Sequence, residues 1–284
     1  MKPEAWEPIR TVALYYNRRR PDAFAKALEA AELLHGSGVQ IRMFAPDGQT
    51  LPVYILRCGM AEALYEAQLA ITFGGDGSIL RVAAHAAPRG IPILGVNLGH
   101  LGFMCELEPS EIESIRFVLN GKYHLERRMM FKVQTLRNGV LYPRGHVLND
   151  AVLGRGQFGR ILDLTVMADN AIVGEYRADG VIAATPTGST AYSLAAGGPV
   201  IEPAARNIII TPVCAHALYA RSFVLAPSRR VTISAAAEAV LSLDGRDGIQ
   251  LLPDETVVVT RSPYTTDLVR IKERSVFDVI RSKL

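Results

Sequence analysis

The sequence predicts an α/β N-terminal domain on a parallel, Rossmann-like sheet, then a β-rich second domain, with a C-terminal helix returning to the first. Three observations lead there. Strand-like and helix-like segments alternate over residues 1–120; short alternating runs replace them from Lys132 onward; and Val276, Phe277, Ile280 and Leu284 share one helical face after Ser275. The boundaries that follow are 1–120 with 265–284 for the α/β domain and 121–264 for the β-rich one.

Thr11–Tyr16 is a compact β-rich run. Pro21 and Asp22 then open a helix with Phe24, Ala27, Leu28, Ala31 and Leu34 at helical spacing and Gly36 at its end. Gln40–Phe44 reads as a strand, as does Gln68–Phe73, which runs into a glycine loop. A helix from Ser78 to about Ala87 and a strand from Ile91 to Asn97 follow. Ser110 and Glu113 stand in capping-box relation, which starts a helix ending near Gly121. In the second half Asn138-Gly139 marks a hairpin turn between apolar runs. HVLNDAVLG, RILDLTVMADN, AIVGEYR, Val231–Ile233, Val240–Leu243 and Thr256–Thr260 continue the strand pattern.

Apolar residues make up 49% and charged residues 21% of the 284, a globular balance and not a disordered one. The net charge of +3 is scattered, without the basic stripe of a nucleic-acid binder. Cys58, Cys105 and Cys214 form no metal-spaced pair and read as buried reduced thiols. The six histidines show no i, i+4 pairing, so no residue is assigned to a metal. MKPEAWEPIR lacks the apolar core of a signal peptide, and Asn207–Ala220 is too short to span a bilayer. The expectation is a cytoplasmic protein without membrane or nucleic-acid partners.

The chemistry concentrates first in Phe73-Gly74-Gly75-Asp76-Gly77-Ser78, where an apolar strand gives way to a helix. Glycines let the backbone approach a ligand, and N–H groups at a helix start bind phosphate oxygens. A carboxylate repels phosphate unless it holds a cation or takes a proton from an attacking hydroxyl, so Asp76 points to phosphoryl transfer. By its residues alone, Asp76 also suits as the cap of the helix at Ser78. No Walker A loop occurs in the chain. GGDGSIL resembles the signature of a kinase superfamily that includes NAD kinases, diacylglycerol and sphingosine kinases, and 6-phosphofructokinases.

Downstream segments resemble the NAD kinase family. Ile91–Phe103, IPILGVNLGHLGF, is similar to the segment that lines the dinucleotide site and sets a Phe near adenine. Asn149-Asp150 resembles the family's Asn-Glu or Asn-Asp pair, although these residues also suit an ordinary turn. Arg177–Pro199, RADGVIAATPTGSTAYSLAAGGP, is the longest stretch of agreement, with a helix expected to begin at Ala191 and aim its N-terminus into the site. LSLDGRDG resembles a late turn where Asp-x-Gln is common, but Gly245 and Arg246 follow Asp244 here.

The resemblance implies a phosphoryl transfer to the 2′-hydroxyl of the adenosine ribose of NAD, giving NADP. ATP or another donor such as polyphosphate would supply the phosphoryl group, with a divalent cation, Mg²⁺, as cofactor. It implies Asp76 as catalytic residue, with Gly77, Arg81, Phe103, Asn149, Asp150, Arg160, Arg177 and Asp179 around the nucleotide. Thr187, Thr190, Ala191, Tyr192, Ser193, Leu194 and Ala195 would form a wall of that site, in a cleft between the domains. A homo-oligomer, dimer or tetramer, is also implied. A lipid or sugar-phosphate kinase and a dinucleotide sensor without turnover are the alternatives. Gly154–Gly159 matches G-x-G-x-x-G, but the residues after it suit a strand, so it reads as a hairpin loop and a dehydrogenase is rejected.

Overall fold

The computed structural model describes residues 8–99, 102–156, 161–216, 220–246, 248–273, 279 and 281. The chain divides into two compact units, Met1–Arg127 with Thr266–Leu284, and Arg128–Thr265.

The first unit holds β1 (Thr11–Tyr16), α1 (Ala23–Gly36), β2 (Gln40–Phe44), β3 (Ile55–Cys58), α2 (Met60–Ala63), β4 (Leu69–Gly74), α3 (Asp76–Ala86), β5 (Ile93–Asn97) and α4 (Ile115–Leu119). Its strands are all parallel in the order β3-β2-β1-β4-β5. β1 and β4 are buried along their whole length, as a sheet covered on both faces requires. α1 lays Ala23, Ala27, Ala30, Ala31 and Leu34 on the sheet, an alanine face that brings helix and strands close. The chain reverses direction across the sheet between β1 and β4. Ligands of open α/β sheets gather at such a switch point, beyond the carboxyl ends of the strands.

The second unit begins within β6 (His124–Arg137) and continues through β7 (Val140–Val147), β8 (Asp150–Gly154), β9 (Leu162–Ala168), β10 (Ala171–Ala178), β11 (Gly180–Ala184), α5 (Tyr192–Ala195), β12 (Ile208–Val213), β13 (Phe223–Leu225), β14 (Val231–Ala235), β15 (Ala239–Leu243), β16 (Ile249–Leu251) and most of β17 (Thr256–Arg270). One antiparallel sheet runs β13-β12-β11-β8-β15-β16; in the other, β10, β9, β14 and β17 follow one another. Their inward residues, among them Leu153, Leu164, Val166, Val181, Ile210, Ile233 and Leu241, form one core. The α/β and β-rich halves read from the sequence are both present.

Several details differ from expectation. Helix α3 starts at Asp76, not Ser78, and Asp76 makes no capping bond. The capping contact before α4 runs from Glu108 N–H to Glu111 Oε2 at 2.8 Å, because Pro109 already opens a 3₁₀ turn there; the Ser110–Glu113 pair is not it. The Asn138-Gly139 turn is as read, with φ of 50° and 76°. The G-x-G-x-x-G stretch lies partly outside the described residues; the strands on either side of it do not form a hairpin, since β8 pairs with β11 and β15 whereas β9 pairs with β10 and β14. Cys58 and Cys105 are buried, but Cys214 is exposed, on a turn after β12 with φ 48°. The helix expected from Ser275 lies outside the described residues. No helix among the described residues is long and apolar enough to cross a membrane.

Candidate active site

At the switch point β4 delivers Gly74 and Gly75 into the first turn of α3. Gly74 is fixed by packing, since a Cβ there would lie 2.1 Å from Ser78 Oγ and 3.1 Å from Asn17 Cβ. Gly75 and Gly77 are different. A Cβ on either would meet nothing within 4 Å, and neither has a positive φ. Packing among the described residues therefore does not explain them.

Asp76, half-buried, aims its carboxylate at the loop after β5. Its Oδ2 accepts from Phe103 N–H at 2.8 Å, and its Oδ1 from Met104 N–H at 3.1 Å and Cys105 N–H at 3.3 Å. Burial, and then the Asp76 charge beside it, push the Cys105 thiol up, so it stays a protonated donor to Asp76. Gly102 makes the arrangement possible, since a Cβ there would sit 2.1 Å from Asp76 Oδ1. The Cys105 thiol and the three N–H groups together hold the carboxylate in place. At the end of β5, Asn97 gives its amide to Gly99 O at 3.0 Å, while its buried Oδ1 has no hydrogen-bond partner among the described residues. Arg81 is exposed on α3, close enough to Tyr15 for its charge to act on that phenol.

In the second unit Leu148, Asn149 and Asp150 are held from two directions. Asp244 accepts all three backbone N–H groups, from Leu148 at 3.0 Å, Asn149 at 2.8 Å and Asp150 at 3.2 Å. From the other direction Thr185 Oγ1 donates to Leu148 O at 2.5 Å, and Thr185 N–H donates to Asn149 O at 2.8 Å. Gly188 lies so near that a Cβ would be 2.2 Å from Asn149 O. The Asn149 side-chain Oδ1 is left buried and without a partner among the described residues. Burial first, and the Asp244 charge second, push Asp150 up to about 7. Thr187, buried, accepts from Arg128 Nη1 at 3.3 Å and belongs to the same cluster.

The rest of the long motif is divided. Thr190 donates its hydroxyl to Thr187 O at 3.2 Å. Ala191, Leu194 and Ala195 are at least partly exposed, as is Tyr192 at 47%. Ser193 turns inward, 2.9 Å from Thr211 Oγ1. Helix α5 is a single turn of four residues ending before Gly197 at φ 84°, so it carries no helix N-terminus of consequence. Asp179 pairs with Arg155 at 3.3 Å and Arg177 is exposed; the five residues of β11, roughly 16 Å of strand, separate them from the Asn149–Asp150 cluster. Arg160 lies outside the described residues. Asp244 and Gly102 were not singled out as site residues from the sequence. Their role depends on loops brought together from distant positions, and only the positive φ of 51° at Asp244, beside Gly245, leaves a local trace.

A glycine-lined phosphate loop with an embedded acid on a Rossmann-like sheet, joined in one chain to a β-rich unit with a buried polar cluster, defines a nucleotide-dependent phosphotransferase. The ATP-NAD kinase N-terminal domain matches residues 17–123 and the ATP-NAD kinase C-terminal domain residues 148–271. The chain belongs to the NAD kinase family. The NAD kinase of Symbiobacterium thermophilum is 41% identical over 276 residues, covering 96% of this chain and 98% of its own. That of Heliobacterium modesticaldum is 34% identical and covers all of this chain and 95% of its own. Among solved structures, yeast NADH kinase complexed with NADH superposes with a TM-score of 0.84 at 25% identity, covering 97% of this chain and 86% of that one. An Archaeoglobus fulgidus NAD kinase in complex with ATP shares the fold with a TM-score of 0.77 at 24% identity, covering 96% and 98%.

Proposed function

We infer that this chain transfers a phosphoryl group from ATP, or another donor such as polyphosphate, to the 2′-hydroxyl of the adenosine ribose of NAD, giving NADP. The observation that carries the reading is Asp76. Its carboxylate is fixed by three backbone N–H groups beside two glycines that the protein itself does not require. In this reading the Asp76 carboxylate accepts the hydroxyl proton as the oxygen attacks the terminal phosphorus, whose bond to the bridging oxygen breaks so that ADP, or the shortened phosphate chain, leaves. Gly75 and Gly77 leave the α3 backbone open to phosphate oxygens, and Arg81 on the same helix adds positive charge. Phe103 offers its ring near the base.

Asn149 and Asp150 would receive ribose hydroxyls, with the unpartnered Asn149 Oδ1 as one acceptor. Thr187, Thr190, Ala191, Tyr192, Leu194 and Ala195 would line the adenosine, while Ser193 supports them through Thr211. Arg160, Arg177 and Asp179 complete the proposed set. Among the described residues no group of three or more His, Cys, Asp or Glu side chains could hold a metal ion. A divalent cation, Mg²⁺, therefore fits as one carried by the donor phosphates, where it would neutralise charge. The reading further places the enzyme in the cytoplasm as a homo-oligomer, a dimer or tetramer, without nucleic acid or membrane as partner.

The test offers NAD, diacylglycerol and fructose 6-phosphate in parallel with ATP and Mg²⁺, and measures NADP by enzymatic cycling. NADP should form and the other acceptors should stay unphosphorylated. Asp76→Asn should lower kcat by roughly 10²–10⁴-fold while NAD still binds. Near-normal turnover in that variant removes Asp76 from its role.

A further inference from the structure

We propose that Asp244 is a positioning residue for NAD: its carboxylate, by gathering three successive backbone N–H groups, holds Asn149 and Asp150 ready for the ribose. The inference rests on the nucleotide reading above and deepens it.

The geometry is specific. The Asp244 side chain is 1% exposed, so its charge is not there for solubility. Its own backbone sits in the left-handed region at φ 51°, followed by Gly245 at φ 66°, a turn that Asp tolerates better than bulkier residues. That turn aims the carboxylate back across the end of β15 and lets Asp244 N–H donate to Asp150 O at 3.0 Å. Oδ1 takes two of the three N–H groups and Oδ2 the third. Arg246 stands 3.7 Å from Oδ2 and is itself tied to Leu243 O and His146 O. With Thr185 on the carbonyls of Leu148 and Asn149 and Asp244 N–H on that of Asp150, every backbone N–H and C=O of Leu148–Asp150 is hydrogen-bonded.

Such a clamp has a function beyond stability. Burying a carboxylate next to the Asp150 carboxyl is unfavourable, and a neutral side chain would close a turn at lower cost. What the charge adds is three aligned donors in a row, which fix the direction of the Asn149 and Asp150 side chains. Among the described residues the charged groups around Asp150 are Asp244 and, through it, Arg246; the residue facing Asp150 on β11 is Ala184, and the His146 ring is turned to Ser262.

The test is Asp244→Asn, nearly the same shape. An amide supplies one oxygen, so at least one N–H must face an NH₂ group. NAD dissociation constant and KM should rise roughly tenfold or more, the loss of one charge-assisted hydrogen bond. The KM for ATP should stay, and kcat should fall less than the NAD KM rises. The pH at which NAD affinity changes should also move down, because Asp150 loses a negative neighbour that raises its pKa. A merely structural residue would not move that midpoint.

If the wild type binds no NAD, the nucleotide reading falls and this inference with it. If the wild type binds NAD and the variant binds it equally with the same pH midpoint, the clamp alone is overturned. Should the variant not fold, amide hydrogen exchange on the wild type decides. Protection at Leu148, Asn149 and Asp150 before NAD is added supports a preformed clamp; exchange as fast as in an open loop overturns it.

Discussion

Asp76 and Asp244 use the same device in the two units: one carboxylate gathers three consecutive backbone N–H groups of a loop distant in sequence. Each fixes a loop that no regular element would hold. Their neighbours yield two predictions. Asp150 has a folded pKa of about 7, above the usual carboxylate value, so the folded state holds its proton more tightly than the unfolded chain. Its stabilising contribution is complete below about pH 4 and is lost as pH rises through 7. Without ligand, wild type should therefore lose on the order of 3 kcal/mol between pH 4 and pH 8 that Asp150→Asn retains, read from urea unfolding at both pH values. Gly102→Ala should displace the Asp76 carboxylate, since the added methyl would sit 2.1 Å from Oδ1. We expect kcat to drop at least about tenfold with the NAD KM little changed. A normal kcat would mean that Asp76 need not sit where Phe103–Cys105 hold it. The sequence made Asp76 legible because an acid among glycines is chemically odd. It left Gly102 unread and the role of the Asp244 turn open, because their partners lie 26 and 94 to 96 residues away and contact is not a local property.

Elements with strong periodicity were readable to within a residue or two: β1, α1, β2, β4 and the Asn138-Gly139 hairpin. Short ones were not. The edge strands β3, β13 and β16 have three or four residues each, too few for alternation to register, and they exist because a neighbouring strand offers its free edge. The helix expected after Thr190 shrinks to one turn, since Gly197 and Gly198 end it before it can lengthen. Helix α3 starts two residues before the position its sequence suggests, for a physical reason. Asp76 and Gly77 look like loop chemistry, yet both are helical. This yields a prediction in which stability and activity part. Gly77→Ala adds a methyl where nothing lies within 4 Å, in a helical conformation that alanine prefers. It should raise folding stability by about 0.4–1 kcal/mol, seen as a higher Tm. It should also raise the KM for the phosphoryl donor, because that methyl occupies the space offered to phosphate. An alanine variant that is more stable and equally active would remove Gly77 from the phosphate loop.

The second unit is an insertion in the chain of the first, which is left at Arg127 and re-entered at Thr266. The returning segment completes the first unit in a way that bears on catalysis. Arg270 donates to Met104 O at 2.9 Å and pairs with Glu106 at 3.3 Å and Glu126 at 2.5 Å. Glu106, its side chain 1% exposed, also accepts from Ile271 N–H and Lys272 N–H at 2.8 and 2.7 Å. The loop pinned in this way is the one whose N–H groups hold Asp76. The α/β unit thus depends for its acid on residues that follow the whole β-rich unit in sequence, which no reading of residues 1–120 alone could reveal. Arg270→Met should strand a buried carboxylate and cost about 3–5 kcal/mol in urea unfolding. Well below the melting temperature, where the variant is still folded, kcat should fall while the NAD KM holds, because the damage reaches Asp76 and spares Asn149 and Asp150. Arg270→Lys, which keeps the charge but not the fork that spans Met104 O and both glutamates, should recover only part of the loss. If the folded Arg270→Met enzyme turns over at the wild-type rate, Asp76 is held firmly enough by its own three amides, and the returning segment serves stability alone.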